Sequence, residues 1–242
     1  MSKRPCLVVG ASGNIGEAIA IRLLQDGRRV ALTHSPRSRP SDRVPADDGN
    51  VRWYGVDVCD SADVVRLVQA VEKDFGSAPD LVYSAGIVKD GSIALITDDA
   101  WNAVIQTNLT GAFNFVRALS KSLMVAGDGR IVLIGSVTAT KGNPGQLSYA
   151  AAKAGMEGMC RVIAVELGRF GVTCNVVSPG VIESRMIEET PAPAVQRLLK
   201  STPLRSLGKP SDVAGLVGFL LGPDGRYITG QTLQIDGGMT AL

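Results

Sequence analysis

Along this chain, short apolar runs alternate with longer stretches of helical spacing. Cys6–Gly10, Val30–Thr33, Val51–Val58, Leu81–Ser84, Arg130–Gly135, Val172–Val177 and Thr232–Ile235 are compact and dominated by Val, Leu and Ile, as expected of strands buried on both faces. Between the first two, Ile15, Ile19, Leu23 and Leu24 give Ile15–Gln25 the spacing of a helix. Ser61–Phe75 reads as another, with Ser61 as N-cap and Asp63 in its first turn. Further helices are predicted near 98–125 and 148–169, and over Ser211–Leu221 with Ser211 as cap. Doubly apolar strands alternating with helices predict a parallel sheet covered on both sides. Right-handed crossovers then give a single-domain α/β fold, a Rossmann-type doubly wound parallel sheet of about seven strands. No repeat, low-complexity tract or linker divides residues 1–242. Pro36–Asn50 is the one loose region, and Glu183–Arg205 is a long, Pro-interrupted one.

Composition narrows the chemistry. Lys and Arg number 25 against 23 Asp and Glu, a net charge of +2, and no basic block accompanies the excess beyond Arg37 and Arg39. Nucleic acid and membrane surfaces are therefore not expected partners. No apolar run approaches the ~20 residues of a membrane span, and the run between Pro5 and Gly10 is too short for a signal-peptide core. Cys6, Cys59, Cys160 and Cys174 lie far apart and read as small hydrophobes of a reducing cytoplasm. With His34 the sole histidine, a zinc site is not expected, and no metal is assigned.

Gly is abundant at 28 residues, and its placement matters more than its number. Gly10-Ala11-Ser12-Gly13-Asn14-Ile15-Gly16 falls where the first strand ends and the first helix begins. Glycines there let the backbone approach a pyrophosphate, whose charge meets the helix N-terminus. An NAD site usually places an acid about 20 residues further on, to bond the ribose. Ala31–Ser35 contains none; Ser35, Arg37 and Arg39 are instead suited to a 2′-phosphate, pointing to NADP(H). Arginines in a solvated loop are the plainer explanation of the same residues.

Tyr149 and Lys153 stand four apart on a predicted helix and so share a face. A free phenol titrates near 10, too high for proton exchange at neutrality, and a neighbouring cation favours its ionised form. A Tyr-x-x-x-Lys pair alone is commonplace. Ser136, at the carboxyl end of a strand, and Asn108, a polar residue within a helical stretch, make it more specific.

With these residues assembled, the chain resembles the short-chain dehydrogenase/reductases, and among them the 3-oxoacyl-acyl-carrier-protein reductases. The likeness runs from Leu7 almost to the end. It takes in the Gly-rich turn, Asp57-Val58, Ser84-Ala85-Gly86, Trp101 through Asn108, Gly135-Ser136, Gln146 to Lys153, Asn175 to Gly180, and Tyr227 to Met239. The resemblance implies a tetrad. Tyr149 would protonate a carbonyl oxygen as hydride arrives, and Ser136 would orient it. Lys153 would lower the Tyr149 pKa and hold the nicotinamide ribose, and Asn108 would fix a proton-carrying water. It further implies cofactor contacts from Gly10, Ser12, Gly13, Asn14, Ile15, Gly16, Asp57, Val58, Ala85, Gly86, Pro179, Gly180 and Ile182. Substrate contacts would come from Ser136, Gln146, Tyr149, Met186 and Ile187, under a flap over 183–205 to which Leu198 and Leu199 contribute. A homotetramer, or a dimer, is implied through the Tyr149 helix and the one before it.

Three departures stand out. Asn14 occupies a position where the family usually has Gly, and is expected to take up a left-handed backbone, while Gly13 replaces a residue that is often basic. Tyr83-Ser84-Ala85-Gly86 stands for Asn-Asn-Ala-Gly. Val125-Ala126-Gly127-Asp128 replaces a basic stretch that docks the acyl carrier, although Arg169 remains. Trp101 and Phe113 are expected as core anchors, and His34 as a loop residue beside the adenosine. The function implied is NADPH-dependent reduction of a 3-oxoacyl thioester, carried by a carrier protein or coenzyme A, in fatty-acid or polyketide/polyene-type synthesis. Dehydrogenation of sugars, polyols or other small alcohols, and a non-catalytic nucleotide-binding role, are the alternatives.

Overall fold

Successive residues of the central strands bury their side chains on opposite faces of one sheet, so helices must cover both. The computed structural model describes residues 4–45, 49–184, 187 and 189–241. In chain order these form β1 (Cys6–Val9), α1 (Asn14–Gln25), β2 (Val30–His34), β3 (Val51–Gly55), α2 (Ser61–Phe75), β4 (Asp80–Tyr83), α3 (Asp98–Ile105), α4 (Gly111–Ala126) and β5 (Arg130–Ile134). They continue with α5 (Leu147–Gly168), β6 (Thr173–Pro179), α6 (Ala192–Lys200), α7 (Pro210–Leu221) and β7 (Thr232–Ile235). The seven strands lie in the order β3-β2-β1-β4-β5-β6-β7, each pair parallel. Leu7, Val9, Leu81, Tyr83, Ile131 and Leu133 pack with α2, α4 and α5. Cys6, Val8, Val82, Val132 and Ile134 pack with α1 and α7 on the other side. Strand order reverses between β1 and β4, which opens a crevice at their carboxyl ends.

The predicted caps sit one or two residues away from the observed ones. Asp60, not Ser61, caps α2, its carboxylate accepting from the amides of Ala62 and Asp63. Lys209, not Ser211, precedes α7, because Pro210 takes the first helical position, where its missing N–H costs nothing. The single helix expected over 98–125 is broken by a π-helical turn at Gln106–Thr110. The Tyr83 hydroxyl donates to the Thr107 carbonyl at 2.5 Å and fills the space above Gly111, holding the widened turn open. Phe113 is 44% exposed with the Arg117 guanidinium stacked on it, so it is a surface residue rather than a core anchor. Trp101 is half-buried. The loose Pro36–Asn50 region is tethered where it is described: Val44 is buried, and Ser41 and Arg43 both engage Glu17 of α1.

At the opposite end of the sheet from the crevice, Asp80 is buried among cations. It accepts from Arg28 Nη2 at 2.5 Å and from the Arg130 amide at 2.9 Å, with Arg4 Nε 3.7 Å away. The carboxylate thus ties together the amino ends of β1, β2, β4 and β5. Removing one partner of such a buried cluster strands the other charges. Asp80→Ala is therefore expected to lower unfolding free energy by about 3–5 kcal/mol, read as a reduced urea midpoint.

Candidate active site

The turn after β1 depends on close backbone approach. Gly10 (φ +82°) lies on the backbone of Ser84 and Ala85, where a Cβ would come within 2.7 Å of the Ala85 amide. Its own amide donates to Thr33 Oγ1 at 3.1 Å. A Cβ on Gly16 would collide with the Gly10 carbonyl. Gly13 and Asn14 carry no such demand. Gly13 has φ −88°, and a Cβ there would meet the Gly10 carbonyl at an ordinary 3.4 Å; Asn14 is the first residue of α1 in ordinary helical conformation. The left-handed backbone expected of Asn14 is not there, because Gly10 alone makes the reversal. No side chain caps α1, so its first amides point free at the crevice, with Ile15 on the cleft wall.

Past β2, three hydroxyls meet. Ser38 Oγ accepts from the Ser35 amide at 3.1 Å and lies 3.2 Å from Ser35 Oγ and 3.3 Å from Ser12 Oγ. Arg37 and Arg39 are exposed beside them, and Ala31–Ser35 carries no carboxylate. His34 packs against Trp53, with Nδ1 2.9 Å from the Ser35 carbonyl. Asp57 and Val58 follow β3; the Asp57 amide is held by Asp63 and the Val58 carbonyl by Asn114. An uncapped helix N-terminus and a hydroxyl cluster flanked by guanidiniums form a donor set that fits a dinucleotide.

Beyond the turn opens a cleft of about 680 Å³, bordered by Gly86, Ser136, Gln146, Tyr149, Lys153, Pro179, Gly180, Ile182 and Ile187. Ser136 stands just past β5, its hydroxyl accepting from the Thr138 amide and donating to Thr138 Oγ1, which in turn reaches Gln146. Tyr149 and Lys153 project from one face of α5, the ammonium 5.5 Å from the phenol ring centre. Lys153 is buried and donates to the Ile134 carbonyl at 2.6 Å. Desolvation brings its pKa down to about 8. Burial holds the Tyr149 phenol above its ordinary value, and the Ser136 hydroxyl draws it part of the way back.

Asn108 stands behind the cleft rather than in its wall. It is fully buried on the π-helical turn, where Oδ1 accepts from the Ile87 amide at 2.8 Å and Nδ2 donates to the Ile87 carbonyl at 3.0 Å. It therefore clamps the segment after β4, directly behind Gly86. Ala85 supports Gly10 and does not line the cleft. Met186 lies outside the described residues. Val88, Thr138, Lys141 and Ser201, on which the sequence carries no signal, also line the wall, as does Met239. Met239 arrives from the far end of the chain, where Lys141 Nζ reaches its carbonyl at 3.3 Å, and no local pattern announces that meeting.

A family model described as enoyl-(acyl carrier protein) reductase matches residues 10–240. The 3-oxoacyl-[acyl-carrier-protein] reductase FabG of Salmonella typhimurium is 37% identical over 233 residues, 96% of each chain. The reductase MabA of Mycobacterium tuberculosis, described in the same terms, is 40% identical over 238 residues, 98% of this chain and 92% of that one. The chain belongs to the short-chain dehydrogenase/reductase family. Nodulation protein G of Rhizobium sp. is similar too, 36% identical over 243 residues, covering 100% of this chain and 99% of its own. The oxidoreductase therefore takes a nicotinamide cofactor, and the turn, the serine cluster and the cleft lie on one sheet edge as that requires. No helix among the described residues is long and apolar enough to cross a membrane.

The depressed pKa of Lys153 has a thermodynamic consequence. Below about 8 the amine is charged in both folded and unfolded chains. Between about 8 and its ordinary 10.5, only the unfolded chain binds the proton, so this group makes stability rise with pH across that window. Urea midpoints measured across the window in parent and Lys153→Met are expected to show that rise in the parent and its loss in the variant.

Proposed function

We propose that this oxidoreductase reduces a 3-oxoacyl thioester to the 3-hydroxyacyl thioester at the expense of NADPH. The observation that carries this reading is the convergence of the Ser136 hydroxyl and the Tyr149 phenol on one cleft. The walls of that cleft, formed by Val88, Ile187, Leu198 and Met239, suit an acyl chain. The names of the FabG and MabA relatives point the same way. When bound, the reduced nicotinamide supplies a hydride to the substrate's third carbon. Ser136 donates a hydrogen bond to the 3-oxo oxygen and holds it against Tyr149, as an oxyanion donor does. As the carbonyl π bond breaks, the oxygen takes the phenol proton, giving the alcohol. The resulting phenolate is stabilised by Ser136 and by cationic Lys153, which stays charged below about 8 and passes a proton back. Asn108 acts by fixing the segment behind Gly86. The chain around Ile187, Leu198 and Ser201 covers the substrate.

NADP(H) is the cofactor in this reading. The uncapped start of α1 receives the pyrophosphate, and Ser12, Ser35 and Ser38 with Arg37 receive the 2′-phosphate. Asp57 and Val58 face the adenine. Charge-assisted hydrogen bonds contribute about 1.5–3 kcal/mol each, so kcat/KM is expected to favour NADPH over NADH by roughly tenfold or more. Ser38→Asp sets a carboxylate against the 2′-phosphate and should reverse that preference; an unchanged ratio in steady-state kinetics would count against the site.

The carrier is an acyl carrier protein or coenzyme A, with exposed Arg169 available to an acidic carrier. Copies associate into a homotetramer through α4 and α5, whose outer faces expose Phe113, Val162 and Val165. The free cysteines accord with a cytoplasmic setting. The decisive test mixes the purified protein with NADPH and acetoacetyl thioesters of carrier protein, coenzyme A and pantetheine. NADPH consumption is expected with at least one, and none with all three would sink the proposal. Crotonyl thioester and simple sugars serve as the contrasting substrates. Tyr149→Phe should reduce turnover by at least about 100-fold while leaving NADPH affinity, read by fluorescence titration, within about twofold of the parent.

A further inference from the structure

β6 continues into a narrow neck. The Gly208 amide donates to the Val181 carbonyl at 3.0 Å, and the Glu183 amide donates to the Gly208 carbonyl at 2.8 Å. Ile182 and Gly208 pair as a short parallel bridge, so tightly that a Cβ on Gly208 would come within 2.7 Å of Ile182 Cδ1. The chain that bears α6 and the cleft residues Ile187, Leu198 and Ser201 leaves and returns through this neck.

Asn14 reaches the neck from the other side. Its Nδ2 donates to the Glu183 carbonyl at 2.5 Å, across 169 positions of sequence. The side chain therefore turns away from the α1 amides and leaves them free for an anion. Asn14 and Ser184 border the cleft, and they also border a groove of about 750 Å³ between α1 and α7. The Asn14–Glu183 bond is thus part of the partition between the two spaces. Glycine at this position has no donor to offer, and aspartate would set a carboxylate against a carbonyl beside the pyrophosphate position.

We infer that Asn14 is a positioning residue that clasps the neck at Val181–Glu183 and Gly208 to the cofactor turn, so that dinucleotide binding and the hydrogen bonding of the neck reinforce one another. Docking of the pyrophosphate fixes the start of α1, and through Asn14 it fixes the Glu183 carbonyl and the two amides paired across the neck. By linkage the reverse holds equally: a neck held in place presents a better-ordered turn to the cofactor. The inference rests on membership of the oxidoreductase family and not on the identity of the acyl substrate.

Hydrogen–deuterium exchange on the whole protein, with and without NADP⁺, tests it together with fluorescence titration of the cofactor. Loss of one hydrogen bond predicts about fivefold changes. In Asn14→Ala, the amides of Glu183 and Gly208 should exchange about fivefold faster and the NADP⁺ dissociation constant should rise about fivefold. Asn14→Asp should exceed both changes, and Asn14→Gln, which keeps the amide donor, should recover at least part of each. In the kinetics of Asn14→Ala, the loss should fall more heavily on KM for NADPH than on kcat. Parent-like neck exchange or parent-like cofactor affinity in Asn14→Ala would overturn the inference. So would acceleration spread evenly over β1 and α1, which would mark a general loss of stability.

Discussion

The backbone of Gly10 lies against the backbone of Ser84 and Ala85, and the catalytic edge is organised around that contact. A side chain at Gly10 would force the ends of β1 and β4 apart at the point where strand order reverses. Because they stay together, the cofactor turn and the segment leading to Gly86 share one crevice. Asn108 then holds that segment from behind, bonding both polar groups of Ile87. The π-helical turn that carries Asn108 is kept open by Tyr83, the last residue of β4. A missing Cβ, a buried amide and a buried phenol thus form one continuous support.

Burial acts in opposite directions on the two titratable groups of the cleft. Desolvation disfavours whichever form is charged, so it lowers the Lys153 ammonium toward neutrality and holds the Tyr149 phenol protonated. Both shifts favour the uncharged form, although below about 8 the Lys153 amine still carries its proton. Ser136 opposes the trend at Tyr149, and it stands at the end of β5, where substrate would meet both groups. The same strand supplies the Ile134 carbonyl that anchors Lys153. One strand thus positions both neighbours of the phenol.

Legibility differed by the kind of information each feature uses. The strands, the helix carrying Tyr149 and Lys153, and the Gly-rich turn are written in local periodicity and composition. Cap positions moved by a residue or two because several neighbouring residues were competent: Asp60 and Ser61 both accept hydrogen bonds, and Pro210 decided where α7 begins. The break at Gln106–Thr110 was hidden because it depends on Tyr83, more than 20 positions earlier. Phe113 is not the core anchor its type suggests, because an aromatic on an amphipathic helix looks alike whether it faces the sheet or the outside. Ser38, whose hydroxyl is the centre of the cluster, carries no local signal beside its arginine neighbours.

The residues of this chain by themselves determined a parallel, doubly wound sheet and the chemistry available at its carboxyl edge. Strand periodicity, helix spacing and the need of a phosphate turn for glycine are all local demands. Tertiary structure decided which of those residues meet. It buried Asn108 against Ile87 instead of in the cleft wall, brought Met239 to Lys141, and gave Asn14 a partner at Glu183 in place of the left-handed turn its position suggested. Each of those contacts joins segments far apart in the chain. Their geometry follows from how the layers pack, which no local pattern of hydrophobic and polar residues encodes.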